Sequence, residues 1–202
     1  MVLAYAMVTP VANGQGWPAY GGDAGGSRYS PLDQVNRDNV SELELAWTFR
    51  TGAVEAHPEL RWAIDFQATP ILLPSSAGGH LVVCDPFQRV MALNPVNGEE
   101  RWRFDPDIDK RPLAGRFKCR GVALWQTPEP DPAKVCDSRL YIATADKRLL
   151  AIDAVTGALC KDFGDQGTVD VDALIRNTVP AEGVDATQLI APPTVVGDVV
   201  AV

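Results

Sequence analysis

An internal repeat constrains this chain more than any other feature. The stretch LVVCDPFQRVMALNPVNGEERWRFDPD, from Leu81, aligns without gaps to LYIATADKRLLAIDAVTGALCKDFGDQ, from Leu140. Identical pairs include Leu81/Leu140, Arg89/Arg148, Ala92/Ala151, Val96/Val155, Gly98/Gly157 and Phe104/Phe163, while Asn94 and Asp153 match in kind. Each copy reads as an apolar strand, a short turn, a second apolar strand and a polar turn closed by glycine. A third strand follows, clearest in RWRF at 101–104. This is a β-meander unit. Sheets of about four strands, repeated at intervals of tens of residues, mean a propeller or an array. A single antiparallel sandwich fits the strand content but does not require gapless self-similarity.

The turns give the repeat a physical cause. In ALNPVNG and AIDAVTG, the Asn94 and Asp153 side chains can bond to backbone N–H groups two or three positions on. Gly98 and Gly157 then supply the positive φ that ends the turn. Trp102, four residues after its glycine, is placed to pack between neighbouring sheets; the second copy has Lys161 there instead. SELELAWTFRTG, from Ser41, has the pattern of an outer strand with Trp47 and Phe49 on one face. APPTVVGDVVAV, at the end, resembles the start of the first full repeat. The chain is therefore read as an all-β, partial propeller over 17–202: an opening segment, two full units and the beginning of another.

Composition narrows the function. A net charge of −8, with basic residues scattered, argues against a nucleic-acid partner. No apolar run reaches the ~20 residues of a membrane-spanning helix. Residues 1–16, MVLAYAMVTPVANGQG, resemble the tail of a secretory signal peptide without its basic region; a disordered leader is the alternative. The histidines, His57 and His80, have no ligand-like spacing and read as solvated loop residues, and no C-x-x-C pair is present, so a zinc site is not expected.

Several segments carry a family resemblance. The motif of Ala92, Asn94, Gly98 and Trp102 resembles the tryptophan-docking motif of eight-bladed quinoprotein dehydrogenases, although non-enzymatic propellers share it. WPAYGGDAGGSRYSPL, LAWTFRTG, DFQATP, FKCRGVA, LCKDFGDQGTVD and APPTVVGD follow in the family's order. The CRG segment and the placement of Cys136 and Cys160 are most similar to the membrane-associated glucose and quinate dehydrogenase branch.

The resemblance implies an eight-bladed propeller of which this chain forms the first blades. It also implies pyrroloquinoline quinone (PQQ), a tricarboxylate ortho-quinone that needs cationic and hydrogen-bonding neighbours. Calcium polarises the reactive carbonyl in such enzymes, and a carboxylate removes the substrate's hydroxyl proton. The implied substrates are an aldose such as glucose, or a cyclic polyol such as quinate. Ubiquinone is the implied acceptor, and the implied location is periplasmic, with inner-membrane association left open.

Arg120 matches the family's arginine beside the cofactor, where a planar guanidinium can pair with a carboxylate or quinone oxygen. Gln67 stands where the family usually has glutamate; its amide can donate and accept but carries no charge, so the resemblance implies cofactor contact at Gln67 without an ionic role, a purely structural role being the alternative. Cys119 is either a cofactor neighbour or a packed thiol; the vicinal cysteine pair of alcohol-oxidising relatives is missing, which favours the sugar or polyol branch. Thr144 resembles a cofactor-facing position at a strand end.

Cys136 and Cys160 flank the hairpin near Asp146 and Lys147, and a disulfide is expected in an oxidising compartment. Cys84, inside an apolar strand, reads as a buried thiol. No residue matches the family's calcium ligands or catalytic aspartate, which lie in later blades, and Asp65, Asp85 and Asp105 are explained by turn chemistry. The chain alone is therefore expected to be inactive. Two rival readings are a non-enzymatic scaffold of the outer-membrane assembly type and a degenerate quinoprotein, the latter suggested by Gln67 and Lys161.

Overall fold

The computed structural model describes residues 16–23, 25–110, 116–176 and 188–202. The expected leader falls outside them, except for Gly16. Two four-stranded antiparallel sheets follow one another, each in simple sequence order. The first holds β1 (Ile71–Leu72), β2 (Leu81–Cys84), β3 (Val90–Leu93) and β4 (Glu100–Phe104). The second holds β5 (Ala123–Gln126), β6 (Ser138–Ala143), β7 (Arg148–Asp153) and β8 (Thr168–Asp170). A hairpin of β9 (Thr194–Val196) and β10 (Val199–Ala201) comes after them. Two short helices, α1 (Ala53–Ala56) and α2 (Val171–Arg176), flank the sheets.

The central strands β3 and β7 are apolar almost without interruption because both of their faces are covered. Val82, Cys84, Val90 and Ala92 of the first sheet share one core with Leu140, Ile142, Leu150 and Ile152 of the second. The opposite face of the first sheet buries Val83, Met91 and Leu93 beneath Trp47 and Phe49. The opposite face of the second buries Tyr141, Ala143, Leu149 and Ala151 against Val195 and Val200 of the final hairpin. Sheets stacked face to face in chain order are propeller blades.

The asparagine and aspartate turns lock as their chemistry requires. Asn94 Oδ1 accepts the Val96 N–H at 2.9 Å, and Asp153 Oδ1 accepts those of Val155 and Thr156 at 3.1 and 2.7 Å. Gly98 and Gly157 then turn at φ 73° and 77°. A tryptophan from the preceding segment covers each glycine. Trp47 lies over Gly98 and donates its Nε1–H to the Pro95 carbonyl, whereas Trp102 of the first blade lies over Gly157 of the second.

Three expectations are corrected. The stretch containing Trp47 forms no strand; it is held by its aromatic side chains rather than by a ladder. In the second blade, residues 160–163, aligned with RWRF, form a turn, and the outer strand is delayed to β8. The cause is local. Cys160 is bonded to Cys136 and gives its N–H to the Ala151 carbonyl, so the chain loops outward until Ala151 N–H reaches the Gly167 carbonyl. Lys161 sits exposed on this loop. The histidines are not solvated bystanders: His57 is half-buried edge-on to Phe87, and His80 is half-buried edge-on to Trp102.

Candidate functional site

Strands that alternate in direction bring their connections together at two ends. The approach to β1, the β2–β3 turn, the β4–β5 link, the β6–β7 turn and the approach to β9 all belong to one end. Gln67, Gln88, Cys119, Arg120, Thr144 and Ile190 lie on these connections, although they span much of the sequence.

Arg120 is fixed through its backbone before its side chain does anything. Its N–H donates to the Ile190 carbonyl at 3.3 Å, and its carbonyl accepts the Thr69 N–H at 2.9 Å. The Arg120 guanidinium gives Nε–H to Gln67 Oε1 at 3.2 Å, and Gln67 Nε2 donates to Asp65 Oδ2 at 2.7 Å. The neutral amide thus bridges a cation and a carboxylate with its acceptor turned to one and its donors to the other. Among the described residues, nothing hydrogen-bonds to the two terminal nitrogens of Arg120. They project a charged, half-exposed donor fork, a geometry that matches a carboxylate or carbonyl oxygen.

Cys119 is a correction. It is neither a free packed thiol nor a free cofactor neighbour, and Cys84 is not a free buried thiol. The two form a disulfide, with Cα atoms 6.0 Å apart, joining the end of β2 to the β4–β5 link. Both are buried, so no thiol is exposed beside Arg120. The even cysteine count carried the missing signal: with Cys136 paired to Cys160, only Cys84 and Cys119 remain. Cys136 and Cys160 are themselves bonded, with Cα atoms 5.7 Å apart, and Asp153 Oδ2 accepts the Cys136 N–H at 2.6 Å.

Thr144 is fully buried, and its hydroxyl is engaged within its own turn. Its Oγ1–H is directed at Asp146, while the same oxygen accepts the Arg148 N–H at 3.0 Å. Asp85 holds the equivalent position in the first blade and accepts the Arg89 N–H at 3.1 Å, so the two residues close matching turns. Burial pushes the Asp85 carboxyl above its ordinary value, while its hydrogen bonds and ion pair with Arg89 oppose that shift. Asp105 accepts the Asp107 N–H. No group of three or more His, Cys, Asp or Glu side chains able to hold a metal occurs among the described residues.

A cleft of about 750 Å³ opens beside this end, between the opening segment (Tyr20, Arg28) and the strands β5 and β9 with the residues leading into them (Val122, Leu124, Pro192, Val195). Its walls are mostly apolar, and Gly121, next to Arg120, brings its backbone close to Tyr20 and Pro192. Sequence reasoning missed Gln88, a completely buried glutamine at the same end. Its only signal was an amide side chain in the turn between two apolar strands, directly after Phe87 and before Arg89.

Stacked four-stranded meanders, each glycine turn covered by a tryptophan, define the protein as a β-propeller of the tryptophan-docked kind. The family described as "PQQ: Glucose/ethanol/alcohol dehydrogenase, beta-propeller domain" matches residues 17–202, and the chain belongs to it. It is 37% identical over 177 residues to the quinoprotein glucose dehydrogenase of Escherichia coli, covering 86% of this chain and 22% of that protein. It is 34% identical over 211 residues to the quinate/shikimate dehydrogenase (quinone) of Acinetobacter baylyi, covering 96% and 25%. Among solved structures, the quinohemoprotein alcohol dehydrogenase of Pseudomonas putida superposes with a TM-score of 0.65 at 27% identity, covering 92% of this chain and 22% of that one. The chain thus spans about a quarter of the length of these relatives. No helix among the described residues is long and apolar enough to cross a membrane.

Proposed function

We propose that this chain forms the cofactor-facing end of the first blades of a PQQ-dependent dehydrogenase. Its substrate would be an aldose such as glucose or a cyclic polyol such as quinate, with ubiquinone as acceptor and the periplasm as its location. The observation that carries this reading is Arg120: an arginine whose own backbone is hydrogen-bonded on both sides, whose guanidinium is oriented through Nε, and whose terminal nitrogens are unpaired by any described residue. A scaffold has no use for such a donor fork; a tricarboxylate cofactor has. Similarity to relatives named for glucose and for quinate supports the substrate class.

The donor set fits one edge of PQQ. Bound there, PQQ would supply an ortho-quinone able to accept two electrons from a carbinol. Arg120 would bind a carboxylate or quinone oxygen. Gln67 would orient that guanidinium without competing for the anion, because its amide carries no charge. Thr144 would act from within its turn by shaping the neighbouring loop, and the Cys84–Cys119 disulfide would hold the Arg120 segment in place. The described residues do not form an oxygen cage for calcium, so no step is assigned through that ion. The carboxylates of Asp65, Asp85 and Asp146 at this end are engaged by Gln67, Arg89 and Arg148, so no catalytic base is assigned among the described residues, and these by themselves are expected to be inactive.

The test is reconstitution of the full-length protein with PQQ and calcium. Dye reduction dependent on an aldose, quinate or a polyol is expected. Tight PQQ binding with no reduction across that panel would indicate a degenerate quinoprotein, and absence of PQQ binding would overturn the reading.

A further inference from the structure

We infer that Gln88 is a positioning residue for Arg120, holding from below the two backbone segments between which Arg120 is clamped. The inference rests on the reading that Arg120 meets an anionic cofactor.

Gln88 is completely buried and sits in the β2–β3 turn at φ 62°. Its amide makes three contacts, none within its own blade. Oε1 accepts the Ala145 N–H of the second blade at 2.8 Å. Nε2 donates to the Lys118 carbonyl and to the Leu189 carbonyl, both at 3.4 Å. Lys118 lies two residues before Arg120. Leu189 immediately precedes Ile190, whose carbonyl accepts the Arg120 N–H. One side chain therefore ties the segment that carries Arg120 to the segment that receives its backbone hydrogen bond. The disulfide adds a covalent tie on the same side: Cys84, at the end of the strand leading into the Gln88 turn, is bonded to Cys119, next to Arg120.

The chemistry of this position is selective. Ala145 needs an acceptor, while Lys118 and Leu189 need donors, and an uncharged primary amide supplies both from a buried site. The second blade uses the equivalent turn position differently. Lys147, at φ 65°, sends its ammonium to Asp172 of α2 at 2.8 Å. Both turns thus direct a polar side chain onto a neighbouring segment, but only that of the first blade reaches the flanks of Arg120.

The experiment is a double-mutant cycle on the full-length protein, with the PQQ dissociation constant and the absorption band of bound PQQ as readouts. Gln88→Met keeps the volume and the turn conformation and removes all three hydrogen bonds. It is expected to weaken PQQ binding about tenfold and to shift the band as Arg120→Ala does. In the Arg120→Ala background it is expected to change the affinity less than about twofold, because the two residues act through one contact. If Gln88→Met does not fold, Gln88→Glu takes its place in the cycle; it retains an acceptor for Ala145 and, ionised, loses both donors. An equal loss with and without Arg120 would overturn the positioning role while leaving Arg120 in the site. An unchanged affinity in Arg120→Ala alone would instead remove Arg120 from the cofactor, and the inference with it.

Discussion

The indole of Trp102 lies so close over Gly157 that a Cβ on that glycine would come within 2.7 Å of Cε3. Trp102 belongs to the first blade and Gly157 to the second, so this contact is a direct joint between blades. Trp47 and Gly98 repeat it one step earlier, at 2.5 Å. Gly157→Ala is expected to destabilise the protein by about 2–4 kcal/mol, combining a left-handed backbone cost with a clash against a large ring. The loss is expected to shrink when Trp102 is also replaced by alanine. Denaturant unfolding of the single and double variants measures both; additive losses would place the penalty in the backbone alone.

Arg120→Ala is expected to raise the PQQ dissociation constant at least about tenfold, equivalent to ~1.4 kcal/mol. Gln67→Ala removes the Nε partner but leaves the charge, so a smaller loss is expected. Fluorescence or calorimetric titration with PQQ distinguishes the two. Equal losses would mean that Gln67 touches the cofactor itself.

The Cys136–Cys160 bond closes a loop with a sequence separation of 24. Replacing both cysteines with alanine is expected to cost ~3 kcal/mol, mainly through restored freedom of the unfolded chain. Peptide mapping without reductant is expected to recover two crosslinked pairs, Cys84 with Cys119 and Cys136 with Cys160. A free Cys84 in that map would contradict the fold of the β4–β5 link.

His80 gives a pH dependence of defined sign. Burial is the main cause of its lowered pKa, with Arg101 adding to it and a hydrogen bond to the Val155 backbone opposing it. The unfolded chain then takes up the proton first as pH falls below the ordinary value of 6.5. The stabilising contribution is complete above that value and is lost as pH falls towards the lower folded value. His80→Gln is expected to flatten the decline in Tm across this acidic window. An unchanged slope would show that other groups set it.

Much of the blade architecture was legible from the repeat. Strand apolarity and turn chemistry are local, so Asn94, Gly98, Asp153 and Gly157 announced their turns, and Trp102 its docking position. The outer strand of the second blade was not legible, because the Cys136–Cys160 bond displaces it to Thr168–Asp170. For Cys84 the cysteine count offered Cys119 as a partner, but the apolar strand pattern around it gave no sign that the two meet, because Cys119 lies 35 residues away on a link between sheets.

By itself, the sequence determined that repeated β-meander units stack, because the period, the apolar strands and the glycine turns are properties of neighbouring residues. It also pointed to Arg120, through a motif in which adjacent positions carry the pattern. Only the tertiary structure decided what surrounds that arginine. Gln67 (itself held by Asp65), the Cys84–Gln88 segment and Ile190 reach it or its flanking backbone from three connections, which meet because antiparallel strands return their turns to a common end.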